Sequence, residues 1–158
     1  DDLVVGAQRV AVLEGLNDAE NLGAIARAAR AFDIEGLIID ATCTDPYSRR
    51  TVRVSMGEVL TLPIARAGAD DWNEVADCLR TSDFEVWAMT PAEDADNIWD
   101  LAVPERLAVC LGAEGPGLSR TMLSGATHRV RIPISPTVDS LNVAQAAAVT
   151  FAATNRTK

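Results

Sequence analysis

Side chains capable of chemistry gather in three short segments of a 158-residue chain that is 48% hydrophobic. The first runs from Glu14-Gly15-Leu16-Asn17 to Arg27, the second is 111–119 (LGAEGPGLS), and the third is 132–143 (IPISPTVDSLNV). Three glycines in the second let the backbone turn sharply and approach a ligand closely. The segment does not match G-x-G-x-x-G, and no Gly-Lys-Ser/Thr of a phosphate loop follows it. Taken alone, it serves equally well as a plain turn. In the third segment Asp139 or Ser140 can cap the start of a final helix. Asn142 then falls in the first helical turn, where asparagine is a poor residue. In the first segment Arg27 stands in a run of small apolar residues. With Arg30 it forms an i,i+3 pair that could line one anionic groove or simply face solvent.

Other chemistries are excluded by composition. His128 is the single histidine, so no serine–histidine–acid triad can form. Cys43, Cys78 and Cys110 are far apart, include no C-x-x-C, and read as buried thiols in a reducing compartment, with no metal site. The carboxylate pairs Asp70/Asp71 and Glu93/Asp94 read as solvated charges at helix starts or in loops. The net charge of −9 argues against a surface that coats nucleic acid. Thirteen of the fourteen basic residues are nonetheless arginine, which suits forked phosphate contacts. Several cluster, Arg27 with Arg30 and Arg49 and Arg50 with Arg53, as a local phosphate track or as ordinary surface residues.

The elements that must position these residues alternate strand and helix. Strands are expected over 9–16, 36–40, 58–65, 85–90, 107–111 and 130–134. Pro63 puts the third near an edge or a strand end. Helices are expected over 21–32, 70–80, 119–124 and 140–154, with 42–55 a long loop holding at most a short helix. In 21–32, Leu22, Ile25, Ala29 and Phe32 repeat at helical spacing. Alternation of this kind implies an α/β domain with a mostly parallel sheet flanked by helices on both faces. Such sheets bind ligands at the C-terminal ends of their strands, where all three polar segments fall. The length suits one domain over 1–158, and the chain opens almost directly into its first strand. No run approaches the roughly 18 apolar residues of a membrane span, and the N-terminus lacks a signal-peptide layout, so a cytoplasmic protein is expected.

The three segments together resemble a known family. Asn21-x-Gly23-x-x-x-Arg27, followed by Ala28, Ala31 and Phe32, is similar to the first motif of the SpoU/TrmH RNA methyltransferases. The second motif is matched by Gly112-Ala113-Glu114-Gly115-x-Gly117-Leu118-Ser119, and the third by Ile132-Pro133-Ile134 with Ser140-Leu141-Asn142-Val143. Arg53-x-Ser55-Met56-Gly57 is a further match between them. The order agrees, and the resemblance covers almost the whole chain. It implies a C-terminal deep trefoil knot, although knots are so rare that pattern alone argues against one. It implies transfer of a methyl group from S-adenosylmethionine to a ribose 2′-hydroxyl of ribosomal or transfer RNA, by a homodimer whose active sites use residues of both subunits. Gly112, Ile132 and Leu141 would hold the cofactor largely through backbone groups, with Leu111, Thr90 and Ile134 also in contact. Arg27 corresponds to the catalytic arginine, and Asn21, Glu114, Ser140 and Asn142 to the other polar positions. An N-terminal substrate-binding domain, common in the family, has no counterpart in this chain. The alternatives are a knotted base methyltransferase, a non-catalytic RNA- or partner-binding module with a degenerate pocket, and a generic nucleotide-binding domain.

Overall fold

A computed structural model describes residues 2–68 and 71–155. It contains seven strands: β1 (Arg9–Glu14), β2 (Gly36–Ile39), β3 (Ile64–Arg66), β4 (Glu85–Met89), β5 (Asp96–Asn97), β6 (Leu107–Gly112) and β7 (His128–Arg131). The helices are α1 (Asp2–Gly6), α2 (Ala19–Ala31), α3 (Arg49–Val54), α4 (Trp72–Thr81), α5 (Arg120–Gly125) and α6 (Val143–Thr154). The strands form one sheet in the order β3-β2-β1-β6-β4-β7-β5, and every pairing is parallel.

Parallel strands at the centre of such a sheet are buried on both faces, so they read as continuous apolar runs rather than alternating ones. In β1, Ala11 and Leu13 point into the layer that holds α2 and α6, where Leu22, Ile25, Ala147 and Phe151 are fully buried. Val10 and Val12 point into the opposite layer, with Val4 of α1, Leu79 of α4 and Met122 of α5. Helices therefore cover both faces, as the alternating pattern implies. Asp18 caps α2 by accepting from the Glu20 amide at 2.9 Å. Among the described residues no helix is long and apolar enough to cross a membrane.

Several boundaries differ from the sequence reading. Residues 58–61 form a 3₁₀ turn (Glu58–Thr61), not a strand. Gly57, at φ 83°, starts the turn, and Val59 and Leu62 reach the core at the three-residue spacing of that helix. Only Ile64–Arg66, beyond Pro63, pairs with β2. The last strand sits two residues earlier than expected, over His128–Arg131, because Thr127 and Val130 bond to β4 and its end before Pro133 removes a donor. A short helix, α1, precedes β1, and the two-residue β5 had no sequence signal. Helix α4 starts at Trp72; Asp70 lies outside the described residues. Asp94 is solvent-exposed, as expected, and also accepts from Arg129 at 2.6 Å, which holds its carboxyl below the usual range. Cys43 and Cys110 are buried, whereas Cys78 is only partly so.

Candidate active site

Loops leaving β4, β6 and β7 meet the start of α6 around a cavity of about 480 Å³. Met89, Thr90 and Pro91 line it from the end of β4, and Ile132 and Ile134 from beyond β7. Leu111 through Gly115 and Gly117 form the β6 wall, and Ser140 through Val143 with Ala146 close the far side. All six positions linked by resemblance to a cofactor, Thr90, Leu111, Gly112, Ile132, Ile134 and Leu141, line this cavity.

The β6 loop requires glycine for two separate reasons. Gly115 and Gly117 have φ of 91° and 69°, a region that side chains disfavour. Gly112 is constrained by space, since a Cβ there would lie 2.3 Å from the Gly117 carbonyl carbon. The Gly117 amide donates to the Ala113 oxygen at 3.0 Å, which folds the loop back on itself. The loop's exit is tied to the end of β1, where Glu14 accepts from the Ser119 amide at 2.7 Å.

Asn142 occupies a different place from the one its sequence position suggested. It is itself the cap of α6, its Oδ1 accepting from the Ala144 and Gln145 amides at 2.9 and 3.4 Å. Neither Asp139 nor Ser140 fills that role, and the helix begins at Val143. The Asn142 Nδ2 donates to Asn21 Oδ1 at 3.0 Å and to Glu114 Oε1 at 2.5 Å. Two polar residues from distant segments thus converge on the Asn142 amide at the rim of the cavity, and Ser140 lines the same cavity.

Arg27 is not among the cavity-lining residues. It is exposed on α2, six residues beyond Asn21 and hence about 9 Å further along the helix axis. Its i,i+3 neighbour Arg30 is also exposed, and the Arg30 guanidinium lies 3.7 Å from Glu58. Gly23, one turn before Arg27, is where α3 packs on α2. A Cβ at Gly23 would come within 2.7 Å of Val54 Cβ and 2.9 Å of the Thr51 oxygen. Ser55, fully buried, donates to the Val52 oxygen and accepts from the Val59 amide, forming the turn after α3.

Burial pushes the Cys43 thiol up to about 11 and also raises Cys110, which disfavours the thiolate at both. Among the described residues, no group of three His, Cys, Asp or Glu could hold a metal. The sequence reading missed Met89, Pro91, Ala113, Val143 and Ala146 as wall residues. Their signal was position: each adjoins a strand end or helix start facing the C-terminal edge of the sheet.

A parallel α/β sheet with a glycine-walled cavity beyond its strand ends defines a ligand-binding domain of the open-sheet class. Residues 8–152 match the SpoU rRNA Methylase family, and the chain belongs to that family. It is 47% identical over 152 residues to an uncharacterized tRNA/rRNA methyltransferase of Mycobacterium tuberculosis, covering 94% of this chain and 52% of the relative. The chain therefore spans about half the length of the curated relatives it matches. It is similar to a crystal structure of an AdoMet-bound rRNA methyltransferase from Sinorhizobium meliloti (TM-score 0.86, 30% identity), covering 95% of this chain and 56% of that one. It is also similar to the structure of an RNA 2′-O ribose methyltransferase (TM-score 0.82, 32% identity), covering 93% of this chain and 55% of that one.

Proposed function

We propose that this chain is the catalytic domain of an S-adenosylmethionine-dependent enzyme that methylates a ribose 2′-hydroxyl of ribosomal or transfer RNA in the cytoplasm. The observation that carries the reading is the cavity itself. Its volume lies in the range of about 300–1,000 Å³ usual for small-molecule sites, and apolar walls combine with a few polar groups at the rim. Leu111, Ile132, Ile134 and Leu141 offer an apolar slot, and the tightly turned 112–117 backbone brings main-chain groups to its edge. That donor set fits an adenosine with a charged amino-acid tail better than a polyphosphate, since no basic side chain lines the walls. The ribose as acceptor is supported by the likeness to the 2′-O ribose methyltransferase structure.

When bound, S-adenosylmethionine supplies a methyl group on a sulfonium, to which a ribose 2′-oxygen adds in line as the thioether leaves. The protein's own part is positioning and charge stabilisation. Asn142 ties Glu114 and Asn21 together by two hydrogen bonds, which orients both at the rim. A guanidinium keeps its proton at neutral pH, so Arg27 is no general base. It stabilises the developing alkoxide and an adjacent phosphate, and the hydroxyl proton leaves to water or that phosphate. Because Arg27 lies away from the cavity of its own chain, a homodimer in which it serves the partner's cavity suits the geometry.

The knot expected of the family belongs to the same reading. Two late strands, β6 and β7, each insert beside an earlier strand, β4, and α6 returns to pack on α2. That arrangement supports a threaded C-terminus.

A thermal-shift titration with S-adenosylmethionine and S-adenosylhomocysteine, with ATP and NAD as controls, tests the proposal. Ligand at about 100 times its Kd adds roughly 2.7 kcal/mol, which raises Tm by about 5–10 °C in a domain of this size. A rise confined to the two methyl-cycle ligands is expected. No rise at saturation, with RNA still bound, would shift the reading to a degenerate binding module.

A further inference from the structure

The arginines of this chain fall into two classes. Most are spent on internal partners: Arg50 on Glu20, Arg30 on Glu58, Arg80 on Asp77, Arg129 on Asp94 and Arg106 on backbone oxygens. Among the described residues, Arg27, Arg49, Arg53 and Arg120 are exposed and make no ion pair or hydrogen bond; Arg120 stands apart at the start of α5, and the other three form one group. All three sit on the α2–α3 pair. The two helices run side by side in the same direction, since Glu20 meets Arg50, Gly23 meets Thr51 and Val54, and Arg30 meets Glu58. Arg49 and Arg53 are one turn apart on α3, and Arg27 is one turn past Gly23 on the stripe that faces α3. Tyr47, 56% exposed, stands just before the Ser48 cap of the same helix.

In a chain of net charge −9, three uncompensated guanidiniums beside a bare aromatic ring mark a surface for an anion with stackable bases. We infer that this face, Tyr47 with Arg49 and Arg53 leading to Arg27, receives an unpaired stretch of RNA. The two arginines grip successive backbone phosphates, and the tyrosine ring stacks on a base that has left its helix. The inference rests on the proposed function, because the strand so held is delivered to Arg27. Unpaired RNA is favoured over duplex, since an aromatic platform gains only from a base with a free face. A second copy of this chain covering Tyr47, Arg49 and Arg53, apart from the one whose cavity Arg27 serves, is the competing occupant.

The test is fluorescence anisotropy of this chain with a labelled oligouridylate and with an RNA duplex of equal length, across a salt series. Each phosphate contact on a single strand adds about 0.7 to the slope of log affinity against log salt. Arg49→Ser and Arg53→Ser should each lower the slope by about that amount, and Arg80→Ser, of equal charge loss, should leave it unchanged. Tyr47→Leu should weaken binding by about fivefold or more with the slope intact. Circular dichroism and S-adenosylhomocysteine affinity of each variant, unchanged from the parent, show that the fold and cavity survive. The inference is overturned if the oligouridylate does not bind at low salt, if Arg80→Ser acts like the α3 variants, or if duplex binds as well as single strand. It is equally overturned if the α3 variants change sedimentation rather than RNA affinity, which would assign the face to a second copy. Failure of S-adenosylhomocysteine binding alone sinks the cofactor reading and leaves the RNA surface standing.

Discussion

Asn142 shows how one side chain can do two jobs that the sequence presents as rivals. Its oxygen caps α6 while its amide nitrogen ties Asn21 to Glu114. From sequence, Asp139 or Ser140 is the expected cap and Asn142 an ill-suited residue of the first turn, whereas the structure starts the helix later and makes Asn142 the cap. The choice is made by partners 28 and 121 residues away. The motif glycines were easier to read, because crowding at Gly112 and positive φ at Gly115 and Gly117 leave no other residue type comfortable. Arg27 was legible as a candidate, but its distance from the cavity was not, since helical spacing fixes angle and rise without saying what lies opposite. If Arg27 acts as a fork on alkoxide and phosphate, Arg27→Lys should lower turnover by about 100-fold or more. S-adenosylhomocysteine affinity of that variant should stay at the parent value in a calorimetric titration. Turnover close to the parent would exclude the forked role.

At the scale of elements, the α2–α3 contact depends on the missing side chain at Gly23. In an open helix, alanine there would stabilise by about 1 kcal/mol. Here the added methyl meets Val54 and the backbone oxygen of Thr51, and backbone cannot step aside as a side-chain tip can. Gly23→Ala should therefore destabilise by about 1–3 kcal/mol, read as a Tm lower by about 2–10 °C. A higher Tm would mean that α3 moves freely, and the placing of Arg53 would lose its basis. Elements with strong apolar runs, such as β1, β6 and α2, were placed within a few residues from sequence. Those that failed lacked a period of their own. Glu58–Thr61 has strand-like composition, but the left-handed Gly57 before it turns the chain into a 3₁₀ coil. Strand β5 is only two residues long, and its backbone pairing with β7 is accompanied by the side-chain pairs Asp96–His128 and Asp94–Arg129.

For the whole molecule, the alternation of strands and helices made the layered parallel sheet legible, but the strand order was hidden. Nothing in local periodicity puts β6 between β1 and β4. Charge has the same scale. With a net of −9 and one small cationic face, this chain should hold S-adenosylmethionine yet methylate full-length RNA poorly on its own. Methyl transfer from a tritiated donor to ribosomal or transfer RNA checks this. Rapid methylation by the 158 residues alone would show that all the RNA affinity needed resides here. The strand order also sets a timetable. Arg9 of β1 pairs with Leu107 of β6, a partner about a hundred residues later in the chain. At roughly 5–20 residues per second, a ribosome delivers that partner some 5–20 s after β1 has emerged. Throughout that interval β1 presents a raw, apolar edge to every other nascent chain nearby. The newborn protein is thus at its most vulnerable with its first five strands made and its central β6 still missing, and that is when a chaperone would serve it best.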